Sequence, residues 1–175
     1  LLPGRQGGCA GIEQRIRAVM EGEKRQIRVK NHVFMQEVVR RFRQEGRKSV
    51  TFTVYGVSMH PFLGSGRDKV VLAPPAEPRV GQVVLAEVQP QRYALHRIIK
   101  IEGDIITMRG DGNPLKMVEQ FTTDKLVGTA EAFIRKGKYV STNSKLWRYY
   151  SATWQACNPA RRWLLAFYRR IILKI

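Results

Sequence analysis

The hydrophobic period of this chain changes at Ser49. Before it, apolar residues recur at helical spacing; after it, they alternate. Val50, Phe52 and Val54 interleave with Thr51, Thr53 and Tyr55, a period of two that fits a half-buried strand and no helix. Further short runs follow at 69–73, 82–88, 92–101, 104–109 and 126–134. Turn signals separate them: Gly64-Ser65-Gly66, Pro74-Pro75, Pro78, Pro90, Gly103-Asp104 and Asp111-Gly112-Asn113-Pro114. Glycine admits positive φ and proline pre-sets φ, so each cluster ends a strand. Many short strands with this punctuation predict a mainly β domain, barrel-like or a sandwich.

Helical segments flank the strands. Asn31 suits an N-cap, and Val33, Phe34, Val38, Val39 and Phe42 share one face, with Arg40, Arg41 and Arg43 off it. The spacing predicts an amphipathic helix over 32–45, packed on the β domain and ended by Gly46. Residues 12–28 read as a polar helix and the glycine-rich 1–11 as flexible chain. Past the strands, Leu146, Tyr150 and Trp154 share a helical face, and Asn158-Pro159 breaks the run. A last helix over 160–174 has Trp163, Phe167 and Ile171 on one side and Arg162, Arg170 and Lys174 on another. The expected organisation is an extension over 1–30, a β domain with its leading helix over 31–140, and a basic helical tail over 141–175.

Charge narrows the partners. The formal net charge is +17, but residues 51–130 carry 9 basic and 8 acidic side chains, while 131–175 carry 10 and one. The excess therefore sits in the flanks. A nucleic-acid reader is more often basic across its recognition surface, which makes nucleic acid the weaker reading; basic flanks fit an anionic membrane or an acidic partner at least as well. Residues 159–175 are the candidate for peripheral membrane association, although the apolar side of the last helix is expected to pack on the β domain or on the preceding helix. No apolar run approaches the ~20 residues of a spanning helix, and the N-terminus has no signal-peptide block. The expected location is cytoplasmic, with a peripheral membrane position as the variant. Cys9 and Cys157 form neither a disulfide framework nor a zinc pattern, so free thiols, no metal and no cofactor are expected.

The chemistry-bearing string is Gly56-Val57-Ser58-Met59-His60-Pro61-Phe62-Leu63, directly after the first strand. A serine placed there, behind a flexible glycine, can present its hydroxyl at a strand end. The string resembles the Gly-x-Ser-Met-x-Pro box of the signal peptidase I and LexA-type serine peptidases, with Gly56, Met59 and Pro61 as its supports. Downstream, Gly66-Arg67-Asp68-Lys69-Val70-Val71 resembles the family's Gly-Asp-x-Val strand start with an inserted arginine. Val80-Gly81-Gln82-Val83-Val84 resembles its Val-Gly-Asp-Val-Val segment, with glutamine for aspartate. Tyr93-Ala94-Leu95-His96-Arg97-Ile98-Ile99 matches the box that carries the general base, and Arg109-Gly110-Asp111-Gly112-Asn113 the later Gly-Asp-x-Asn box. The likeness spans about residues 50–134 in the family's order.

The resemblance implies a signal peptidase/LexA-like β fold and a serine endopeptidase. Ser58 is then the nucleophile and His96 the base, as in the histidine-type signal peptidases. A serine hydroxyl needs a base to take its proton, and histidine titrates near neutrality. Asp111, with Gly110 and Asn113 as box neighbours, is the expected carboxylate behind His96; Asp104, in a hairpin turn, is the alternative. His60 is expected to be peripheral, and Lys69 and Lys100 to be solvated strand lysines. Signal peptidases often carry a serine or threonine at the position of Gly56 to help hold the oxyanion; here the Ser58 backbone N–H is the remaining donor. The family binds an extended peptide as an added strand, with small side chains next to the cut.

Three readings follow. One is an endopeptidase acting on an exposed peptide or protein segment. The second is a peptide-binding module of the same fold with weak or no turnover. The third is a LexA-like regulator, for which Ala10-Gly11 resembles a self-cleavage bond; residues 12–45 have no clear helix-turn-helix pattern.

Overall fold

The structure, a computed structural model, describes residues 31–43, 48–157, 160–168 and 170. The expected extension over 1–30, the polar helix within it, the Ala10-Gly11 bond, the Asn158-Pro159 cap and Ile171 lie outside the described residues. The chain order is α1 (Asn31–Arg43), β1 (Val50–Thr53), β2 (Lys69–Ala73), β3 (Val83–Gln89), β4 (Arg92–Glu102), β5 (Ile105–Arg109), β6 (Glu119–Thr122), β7 (Leu126–Arg135), β8 (Lys138–Ser141), α2 (Lys145–Ala156) and α3 (Arg161–Tyr168).

The eight strands form one antiparallel sheet in the order β1-β2-β7-β3-β4-β5-β6, with β8 beside β7. The sheet curls until β6 meets β3, so β3 is buried on both faces. That explains its unbroken apolar run Val83-Val84-Leu85-Ala86, all at most 1% exposed. Val83 and Leu85 point to one core with Phe52, Met59, Phe62, Leu63, Phe133 and Trp147. Val84 and Ala86 point to a second, with Ile98, Ile106, Met108 and Phe121. The fold is mainly antiparallel β with a few helices, as the alternation predicts. Two strands went unforeseen. Glu119–Thr122 has one apolar residue and Lys138–Ser141 is equally short, so neither shows a period.

Helix α1 seats Met35 and Val38 in the first core. It also corrects the placement of its arginines: Arg41 is buried against Glu37, 2.9 Å away, and Arg40 clasps the same carboxylate. Helix α2 is capped by Ser144, whose Oγ accepts from the Trp147 N–H at 3.2 Å. Its inward face is Trp147, Tyr150, Ser151 and Trp154, while Leu146 is exposed. The expected Leu146-Tyr150-Trp154 face is thus rotated by one residue at its start. On α3 the expected packing fails: Trp163 and Phe167 are 69% and 65% exposed, and Leu165 is the buried side chain among those described.

One loop ties the turns together. Asp68, fully buried, accepts from the Gly64 and Lys136 N–H groups and from the Arg67 guanidinium. Burial works against its charge, but the Arg67 and backbone hydrogen bonds outweigh it and hold the carboxyl at about 2, against 3.8 ordinarily. The unfolded chain thus takes up this proton at a higher pH than the folded one. Asp68 stabilises the fold fully above about pH 4, by roughly 2 kcal/mol, and that share is lost as pH falls through about 2. The Asp68→Asn protein is expected to be less stable at neutral pH and to lose less stability than wild type between pH 4 and 2. Urea midpoints measured across that range check it.

Candidate active site

Neighbouring residues on β4 face opposite ways. Ala94 and Ile98 belong to the second core, which sets His96 on that side and Arg97 on the other. His96 is 5% exposed, and its Nδ1 lies 2.8 Å from Glu119 Oε2. Glu119 opens β6, opposite Met108 of β5, and β5 pairs with β4. Sheet register therefore delivers this carboxylate to the histidine. A carboxylate only accepts, so a neutral His96 ring meets Glu119 with its Nδ1 hydrogen and keeps Nε2 as an acceptor.

On the opposite face, Arg97 is 2% exposed and bidentate to Asp111, with Nε–Oδ1 at 2.9 Å and Nη2–Oδ2 at 2.6 Å. Its Nη1 donates to the Gly81 carbonyl at 2.9 Å and to Ser151 Oγ at 2.6 Å, and its guanidinium lies 4.8 Å over the Trp147 ring. Burial opposes the charge, but the Asp111 carboxylate overrides it and holds the guanidinium above its ordinary pKa. Tyr150 donates a further hydrogen bond to Asp111 Oδ2, and Trp154 Nε1 donates to the Asp111 carbonyl. Helix α2, expected as part of an appended tail, is thus built into the site's support.

These contacts correct the expected role of Asp111. Both its oxygens are occupied on the Arg97 face, and Glu119 stands behind His96 instead. Asp104 does not compete: β4 runs about 20 Å past His96 before the hairpin turn that holds Asp104. Glu119 carried no signal in the sequence, since it lies in no motif and reaches His96 only through β5–β6 pairing. Lys69 is exposed, and so is Lys100, which pairs with Glu102 at 2.8 Å; both are surface lysines, as expected. His60, two residues after Ser58, is 5% exposed and packed inside.

Ser58 is half-buried at the start of a tight loop that Met59, Phe62 and Leu63 root in the first core. Arg135 Nε holds the Phe62 carbonyl at 2.7 Å. Gly56 has φ +96°, a conformation that suits glycine, and its N–H donates to Ser65 Oγ. The loop sits on the strand-end segment after β5: the Gly112 N–H donates to the Ser58 carbonyl at 2.7 Å. The β4–β5 register, Arg97 opposite Arg109, places His96 beside Gly110 when continued by one residue. A Cβ on Gly110 would overlap the Ser58 carbonyl oxygen, and one on Gly112 the Val57 carbonyl oxygen. Ser58 and His96 thus flank the same glycine segment. Asn113 closes the turn, its N–H donating to the Gly110 carbonyl at 3.1 Å. No hydrogen bond joins the Ser58 and His96 side chains among the described residues. Such contacts often tighten only when substrate binds.

Replacing Gly112 by alanine must push the Ser58 loop away. We expect Gly112→Ala to lower any Ser58-dependent activity by about 10² or more, since a misplacement near 1 Å costs that much. Gly137→Ala, at a remote turn with open space around it but with φ +78°, controls in the same assay for the backbone strain of replacing a glycine without displacing the Ser58 loop.

Exposed apolar side chains border the site. Tyr55 and Val57 precede Ser58, and Leu115, Met117 and Val118 precede Glu119. Arg109 Nη1 donates to the Leu115 carbonyl at 3.3 Å, anchoring the second group. A surface hollow of about 480 Å³ lined by Val88, Pro90, Ile105 and Phe121 lies at the other end of these strands and plays no part here. No protein-family model, curated protein or solved structure matches the chain.

Proposed function

We propose that this chain is a serine endopeptidase of the signal peptidase I/LexA type, with Ser58 as nucleophile, His96 as general base and Glu119 orienting His96. The observation that carries the reading is the His96–Glu119 hydrogen bond, beside a glycine segment that also seats the Ser58 loop. In this mechanism His96 Nε2 takes the Ser58 proton as Oγ attacks the scissile carbonyl. The Ser58 N–H donates to no protein acceptor among the described residues and serves as the oxyanion donor. His96 then protonates the leaving amine, and a water activated by the same ring frees the acyl group. Substrate lies extended along the site, past Val57 and Met117, with small side chains beside the cut.

A peptide-binding module without turnover is the competing reading. It is favoured by Gly56, which brings no side-chain oxyanion donor, and by the missing Ser58–His96 hydrogen bond. Incubation with a mixed library of unstructured peptides separates the two. The peptidase reading expects new termini after small residues with wild type and none with Ser58→Ala. Peptide binding without cleavage by either protein overturns it.

A further inference from the structure

Helix α3 faces the wrong way for a packed amphipathic helix. Leu165 is its inward residue, 7% exposed, while Trp163, Leu164 and Phe167 are 69%, 42% and 65% exposed. Positions 163, 164 and 167 lie on one side of a helix. A buried position would pair this stripe with a core, but the sheet's two cores are filled by other elements. The same stretch of chain exposes Tyr139 on β8 and Leu146 and Tyr149 on α2.

What can cover this face is limited by charge. From residue 132 to 175 there is no aspartate or glutamate, and there are ten arginines and lysines. Lys136, Lys138, Lys145, Arg148 and Arg170 are exposed. A second copy of the chain would bring two such stretches together with no acid to offset them. The six exposed apolar side chains named here, among the described residues, also fall well short of the 20–30 residues a stable protein–protein interface engages on each side. A lipid surface asks for less: a few aromatic and aliphatic groups reaching the headgroup boundary, with cations drawn to anionic lipids. Tryptophan and tyrosine suit that depth, having an apolar body and a polar edge.

We propose that α3 docks on an anionic lipid bilayer, seating Leu164 and Phe167 at the headgroup–acyl boundary while the acid-free stretch supplies the electrostatic attraction. No helix among the described residues is long and apolar enough to cross a membrane; the proposed association is peripheral, through α3. It would hold the chain at a surface without using Ser58, His96 or Glu119, and it stands apart from the peptidase reading.

Flotation of the full chain with vesicles tests it, using phosphatidylcholine alone or mixed with phosphatidylglycerol. Wild type is expected to float with the mixed vesicles and about tenfold less with phosphatidylcholine, and the Leu164→Ser/Phe167→Ser variant to lose about tenfold with the mixture. Both substituted side chains are exposed, and an unchanged far-ultraviolet spectrum confirms that the variant is folded. Three results overturn the proposal: wild type that stays in solution with the mixed vesicles, a variant that floats equally well, so that charge alone acts, or a wild-type dimer that the variant abolishes.

Discussion

Peptide cleavage by the His96→Gln protein is expected to fall by about 10⁴–10⁶, with the fold retained. Glutamine approximates the volume of the ring but cannot take the Ser58 proton, so the hydroxyl returns to its unassisted reactivity. The loss corresponds to roughly 5–8 kcal/mol of transition-state stabilisation. Glu119→Gln probes the second link. The carboxylate accepts the Nδ1 hydrogen and leaves Nε2 as the base, whereas a carboxamide can donate to Nδ1 and favour the tautomer with Nε2 protonated. That tautomer cannot receive a proton, and a loss of about 10²–10⁴ is expected. Glu119→Asp keeps the charge with a shorter reach and is expected to fall between the two. Initial rates on one cleaved peptide, with thermal melts of each variant, check the series. A Glu119→Gln enzyme as fast as wild type contradicts this assignment and would direct attention back to Asp111.

The second large effect is on stability. Asp111→Ala leaves the Arg97 guanidinium buried under Trp147 with only the Gly81 carbonyl and Ser151 Oγ as partners. Stranding a buried charge in this way costs about 3–5 kcal/mol, which for a chain of this size lowers the melting temperature by about 10 °C. The Asp111→Leu/Arg97→Met double variant removes both charges and restores apolar volume, so it is expected to be more stable than Asp111→Ala. Non-additivity of Asp111→Leu and Arg97→Met in the double variant measures the coupling of the pair. Thermal melts of wild type, Asp111→Ala, Asp111→Leu, Arg97→Met and the double variant decide it. The pair also joins β4 to α2 and to the segment that seats Ser58. The single variants are therefore expected to lose cleavage beyond what their unfolded fraction explains.

The contrast between Asp111 and Glu119 shows how far the residues could be read in advance. The strands at 69–73, 92–101 and 126–134 are found within one residue of their expected bounds, because alternation and Gly/Pro turns are local properties. The Ser58 and His96 strings were equally visible, each being contiguous. The carboxylate beside His96 was not, because strand pairing decides which acid faces which base. Glu119 begins a strand whose single apolar residue, Phe121, shows no period. Asp111 sits in a conspicuous turn, but alternation on β4 aims Arg97 toward it and His96 away. The tail misled for a related reason: Trp147 and Tyr150 meet Phe62 at ring-centroid distances of 4.9 and 4.6 Å. No helical wheel discloses a partner 85 residues upstream. The outward turn of Trp163 and Phe167 likewise depends on which cores are already full.

A fluorophosphonate probe, followed by intact-mass and peptide mapping, tests the central claim most directly. The account predicts a single adduct on Ser58, absent in Ser58→Ala and strongly slowed in His96→Gln. An unmodified wild-type chain, or an adduct that survives in Ser58→Ala, would contradict it.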